Sequence, residues 1–227
     1  MKKLLKLLIG LLLIPMCWSM SRTIYLFLTA DSLGPMAPWA LPTGCAISVI
    51  SFILLPPAFR TYVLGHEATH AIAGLLMGAK VGKMKVGPRG GHVELSKTNS
   101  LIALAPYVIP FYTALAVLTW VAAGWFWEIS RFQTAWLMIV GLTWGFHILF
   151  TVYMLTQRQP DVQEHGRVFS YVVIYLANLL CIAAWLGLIG SPTLSGMWSL
   201  FAIETSSAYE AGASWLDAGA RRVLQLF

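Results

Sequence analysis

The sequence predicts an all-α polytopic membrane protein with about five transmembrane helices, a small cytoplasmic β-hairpin and a C-terminal amphipathic helix. Only 11% of the 227 residues are charged, whereas an ordinary soluble domain has about 25%. The mean hydropathy is +0.73, and several uncharged runs supply the roughly 20 apolar residues that cross a bilayer core. These values exclude a soluble globular enzyme, a disordered chain and a nucleic-acid-binding module. The net charge of +6 is therefore interpreted as a signal of membrane topology.

The first element, residues 1–30, is predicted to be an uncleaved transmembrane anchor, with a signal-like segment as the alternative. Its lysines precede an apolar stretch, and lysines in this position hold an N-terminus in the cytoplasm. Residues 31–56 follow as a proline-rich external loop and a short kinked segment. Pro56 and Pro57 are expected to break the helix, because proline removes a backbone donor and clashes with the preceding turn.

Residues 57–190 are predicted to form the core, with a hairpin at 79–97 after the first core helix. The hairpin carries the densest group of basic residues in the chain, which places it in the cytoplasm. Glycine and proline at 86–90 favour its turn. The tail, residues 191–227, is predicted to be amphipathic and to lie on the outer surface of the membrane. The core helices are expected at Pro57–Gly78, Ser100–Ala123, Thr134–Leu155 and Arg167–Ile189.

The decisive motif is His66-Glu67-Ala68-Thr69-His70, an H-E-x-x-H sequence. Residues four apart on an α-helix lie about 40° apart around its axis, so both imidazoles can reach one Zn²⁺. Glu67 is adjacent to His66 and can take a proton from water without being a metal ligand. Ionisable side chains midway along a predicted span are costly and are usually functional. The structural alternative is a pair of buried histidines hydrogen-bonded to neighbouring helices.

A transmembrane H-E-x-x-H helix, a Gly-rich hairpin (Gly90-Gly91-His92-Val93-Glu94) and an acidic residue before a later helix resemble the site-2 protease family of intramembrane zinc metalloproteases. The resemblance covers roughly Pro57 to Ile189. It implies a zinc ion held by His66, His70 and a downstream aspartate, with Glu67 as the general base. It also implies hydrolysis of peptide bonds within or beside the membrane, with the substrate added as a strand to the hairpin edge.

The third zinc ligand is left open between three residues. The family's aspartate motif is altered here, because the proline–aspartate and glycine–arginine parts are separated by four extra residues. Asp161 is favoured, since Pro160 ends the preceding helix and leaves a short carboxylate free to turn inward. Glu164 takes this role if the glycine–arginine pair sets the register. His147 lies at the same predicted depth as the two histidines of the motif, and three histidines also make a sound zinc site.

These features predict an intramembrane zinc metalloprotease, a hydrolase that uses a zinc-activated water to cleave membrane-anchored proteins. We expect an integral multi-pass protein of a bacterial plasma (inner) membrane, with the active site towards the cytoplasm. The predicted partners are the lipid bilayer and a membrane-anchored protein substrate, and no nucleic acid. The alternative is a catalytically inactive metal-binding membrane scaffold, which follows if neither Asp161 nor Glu164 reaches the metal.

Overall fold

The computed structural model describes residues 2–29, 39–88, 90–189 and 194–224, which are mostly helical and include one small antiparallel sheet. The predicted helical class and the hairpin are therefore confirmed. Much of the predicted external loop, residues 30–38, lies outside the described residues. The elements in chain order are α1 (Lys2–Thr29), α2 (Ala40–Leu54), α3 (Phe59–Leu76), β1 (Val81–Gly87), β2 (Gly90–Leu95), α4 (Ser100–Val108), α5 (Phe111–Gly124), a 3₁₀ turn (Ser130–Phe132), α6 (Gln133–Thr156), α7 (Pro160–His165), α8 (Arg167–Ile189) and α9 (Leu194–Leu224).

Three stretches of the described chain are long and apolar enough to cross a membrane: Lys3–Thr29, Ser130–Thr156 and Arg167–Ala184. Helices α4 and α5 make a fourth if their 73° bend is counted within one span. Helix α3 is outside this set, because Arg60, Glu67 and the two histidines of the motif lower its hydropathy. The predicted number of five spans stays a prediction.

The segment Ser100–Ala123 is broken in two, so the prediction of one continuous helix there is wrong. Ile109 is extended, with φ −90° and ψ 111°, and α5 begins after Pro110. Pro110 lacks a backbone donor and disfavours helical geometry at the residue before it, which explains the break. The break expected at Pro56 and Pro57 is present between α2 and α3.

Helices α1, α8 and α9 form one compact unit. Met20 of α1 is buried in its core together with Met197 and Phe201 of α9. Arg22 Nε also lies 2.9 Å from Glu204 Oε2, which joins α1 to α9 by an ion pair. The C-terminal helix begins at Leu194, within the predicted tail of residues 191–227, and its first part packs against α1.

The second compact unit comprises residues 37–165 and is held together by close contact of α2 with α6. A Cβ atom built on Gly44 would lie 2.0 Å from the carbonyl oxygen of Met138, and one on Gly141 would lie 2.1 Å from that of Leu41. No side chain fits at such distances. Gly141 and Gly145 form a G-x-x-x-G sequence, which allows two helix backbones to approach each other closely.

Helix α3 carries the motif and packs against α4, α5 and the hairpin. Alternate residues of β2 face α3, as the two-residue period of a strand requires. Gly91 lies against α3, Val93 is buried, and Leu95 contacts Gly74. The hairpin therefore covers one side of the helix that carries the two histidines.

Candidate metal centre

Helix α3 places His66 and His70 one turn apart on the same face, as the spacing predicts. Their ring centroids are 4.8 Å apart. Helix α7 begins at Pro160 and directs Asp161 towards them: its Oδ2 lies 3.8 Å from Nε2 of His66 and 3.6 Å from Nε2 of His70. One ligand atom from each residue lies within 4.8 Å of the others, so the three residues form a group that could hold a metal ion.

The separations of these atoms fit a shared ion better than direct hydrogen bonds. A hydrogen bond between nitrogen and oxygen spans about 2.7–3.2 Å, which is shorter than either measured distance from nitrogen to carboxylate oxygen. A tetrahedral ion with ligand bonds of about 2.0–2.2 Å separates its ligand atoms by about 3.3–3.6 Å. Two imidazoles and a carboxylate are donors that divalent transition metals accept.

The outer nitrogens of both histidines are hydrogen-bonded. Nδ1 of His70 lies 3.0 Å from the carbonyl oxygen of Ile102. A carbonyl only accepts, so Nδ1 carries the proton and Nε2 keeps the lone pair that faces Asp161. Nδ1 of His66 lies 3.1 Å from the hydroxyl oxygen of Tyr62, which can likewise accept a hydrogen bond from Nδ1–H. These contacts favour the tautomer in which both Nε2 atoms are free to bind a metal.

Tyr107 of α4 positions the carboxylate of Asp161. Its side chain is fully buried, and its hydroxyl donates to Asp161 Oδ2 and to Gln159 Oε1, each at 3.2 Å. Its ring also meets His66 edge-on, with centroids 5.1 Å apart. The sequence reasoning missed this residue. The available signal was a tyrosine inside an apolar helix, because a buried tyrosine hydroxyl needs a polar partner.

The charge of Asp161 suits metal binding. Burial alone would raise the pKa of its carboxyl, but in the metal-free site the imidazoles of His66 and His70, in their protonated forms, lower that pKa below its ordinary value. Asp161 is therefore ionised at neutral pH. The ionised carboxylate is the form that coordinates a metal.

Of the three residues considered for the third ligand position, Asp161 is the one that the structure brings to the two histidines. Glu164 is exposed on α7. His147 is buried on α6 and lines a cavity of about 20 Å³ beside His66. Among the described residues, neither of them belongs to the group of closely spaced ligand atoms.

Glu67 lines the same cleft as the three candidate ligands, and the cleft has a volume of about 590 Å³. Only 7% of Glu67 is exposed. Gly91 of β2 lies directly on this side chain, since a Cβ atom built there would be 2.7 Å from Cγ of Glu67 and 2.9 Å from its Oε1. The hairpin backbone therefore holds Glu67 in place at a position where no larger residue fits. Sequence reasoning did not identify Gly91 as a site residue.

Comparisons with protein-family models, curated proteins and solved structures found no match to this chain. The resemblance to site-2 proteases stays a prediction that rests on the motifs.

Proposed function

We propose that this protein is an intramembrane zinc metalloprotease that hydrolyses peptide bonds of membrane-anchored proteins. The observation that supports this proposal is the group formed by His66, His70 and Asp161 beside a buried Glu67 in one cleft. The two histidines would hold zinc through Nε2, and the aspartate would hold it through Oδ2. When bound, zinc supplies Lewis acidity that activates a water molecule and polarises the substrate carbonyl.

Glu67 is the proposed general base. It precedes the second histidine by three positions and follows the first directly, so it faces the cleft without belonging to the ligand group. Its carboxylate takes a proton from water as the new carbon–oxygen bond forms. It then gives that proton to the amide nitrogen as the carbon–nitrogen bond breaks. The contact with Gly91 keeps this carboxylate in one position, and a fixed position is what efficient proton transfer requires.

The free edge of β2 is the proposed binding surface for the substrate backbone. The described sheet has two strands, so β1 covers one edge of β2 and no described strand covers the other. Residues Gly90 to Val93 line the cleft. An extended peptide adds to such an edge through backbone hydrogen bonds, which would hold the scissile bond beside the metal ligands.

The proposed setting is a bacterial plasma membrane that the chain crosses about five times, with α3 and the bent α4–α5 pair as two of the spans. Lys80, Lys83 and Lys85 of the hairpin region are exposed. Basic residues next to membrane spans are retained in the cytoplasm, so the hairpin and the cleft that it borders would face that side.

The test compares the wild type with Glu67→Gln in cleaving a panel of single-span reporter proteins in proteoliposomes. The variant should retain its zinc and cleave about 10²- to 10⁴-fold more slowly, because it lacks the general base. Glu210→Gln, which changes an exposed carboxylate of α9 that does not line the cleft, is the matched control and should cleave like the wild type. A Glu67→Gln variant that cleaves at the wild-type rate would disprove the mechanism. Zinc binding by a wild type that cleaves no reporter would favour the inactive scaffold.

A further inference from the structure

A cationic side chain, Arg158, lines the same cleft as the candidate metal ligands and has no part in the chemistry proposed above. It lies in the short connector between α6 and α7, three residues before Asp161. Among the described residues that line the cleft, Arg158 is the only lysine or arginine. The connector and the hairpin both contribute residues to the lining of the cleft.

Arg158 is exposed, and it forms no ion pair with any acidic side chain in the described part of the chain. Asp161, the nearest acidic residue in sequence, is instead engaged by the two histidines and by Tyr107. The guanidinium group is therefore available to a ligand. Its planar set of N–H donors matches the two oxygens of a carboxylate.

The charge of the cleft also favours an anionic ligand. A divalent ion would balance the two carboxylates of Glu67 and Asp161, so Arg158 leaves the loaded cleft with a net positive charge. A net charge of one sign in a cleft attracts ligands of the opposite sign.

We propose that Arg158 binds a carboxylate of the substrate, so that the cleft selects peptides with an acidic group near the scissile bond. This inference rests on the proposed proteolytic function, because it assumes a peptide lying along β2. Such a peptide would lie in the cleft that the hairpin and the connector with Arg158 both line. The carboxylate can come from an aspartate or glutamate side chain or from a free chain terminus, since both present the same pair of oxygens.

The experiment measures the binding of fluorescent peptides to zinc-loaded Glu67→Gln, which should bind without turnover. Each peptide carries glutamate at one position and is compared with the same peptide carrying glutamine there. A second comparison sets a free C-terminus against a C-terminal amide. At one position, or at the free terminus, the acidic peptide should bind about tenfold more tightly, which is the effect of one charge-assisted hydrogen bond.

Adding Arg158→Gln should abolish this preference. Arg131→Gln, an exposed arginine before α6 that does not line the cleft, is the matched control and should preserve it. Equal binding of acidic and neutral peptides at every position, or a preference that survives Arg158→Gln, would overturn the proposal. A wild type that cleaves reporters without this preference refutes only the role of Arg158. A preference in binding without any cleavage by the wild type refutes only the protease.

Discussion

Substitution of Gly91 by alanine tests whether the hairpin holds Glu67 in its working position. The added Cβ atom would lie 2.6 Å from Cγ1 of Val63 and 2.7 Å from Cγ of Glu67, whereas ordinary contact begins at 3.4 Å. Strand and helix must therefore separate by about 0.8 Å, or the side chains of Val63 and Glu67 must both move. A displacement of about 1 Å at a catalytic group costs about 100-fold in rate. We expect kcat of Gly91→Ala to fall by that order.

The assay is cleavage of a reporter in proteoliposomes, with zinc content and helical circular dichroism measured on the same preparations. Zinc content should be retained, because Gly91 contacts the proposed base and is not one of the candidate ligands. Gly124→Ala is the matched control, since its nearest atom, Cδ1 of Ile129, would lie at an ordinary 3.7 Å. Reporter cleavage by a zinc-loaded Gly91→Ala within twofold of the wild type would refute the reasoning.

Three further predictions concern the support of the metal centre and of the fold. Tyr107→Phe removes the donor to Asp161 and should weaken zinc binding about 10- to 100-fold in a competition titration, whereas unchanged affinity would show that Tyr107 only fills space. Removal of zinc by a chelator should lower the thermal midpoint of the wild type but not that of Asp161→Asn, because a ligand at 1,000 times its Kd contributes about 4 kcal/mol. Equal midpoints with and without chelator would argue against a resident metal. Gly141→Val should destabilise the compact unit of residues 37–165 by about 1–3 kcal/mol in thermal unfolding, since the added Cβ atom would overlap the backbone of α2. A midpoint like that of the wild type would mean that the two helices separate freely.

The geometry of the motif was predictable because it is local. The helical period alone places His66 and His70 on one face, and Pro160 ends a helix just before Asp161. The sequence also indicates the break, since Pro110 lies inside the segment, but the prediction of one continuous helix over Ser100–Ala123 did not take this proline into account. Proline in the interior of a predicted span lacks the backbone donor of a helical hydrogen bond and clashes with the preceding turn, so it favours a bend.

The contacts of Tyr107 and Gly91 were not predictable in the same way. Each acts on a residue more than 20 positions away in the chain, and no local period links them. The sequence shows that position 91 is glycine, but it does not show which side chain lies above that glycine. Only the packing of the hairpin on α3 shows that this side chain is Glu67.

The zinc affinity of Asp161→Ala tests the proposed metal centre most directly. The measurement compares the wild type, Asp161→Ala, Glu164→Ala and His147→Ala by metal analysis after titration with zinc. The geometry predicts that Asp161→Ala binds zinc more than about 100-fold more weakly than the wild type, because a ligand contributes more than the outer contacts that support it. Glu164→Ala and His147→Ala should bind zinc with nearly the affinity of the wild type. Wild-type affinity in Asp161→Ala, or a large loss in either of the other two variants, would contradict the site described for this protein.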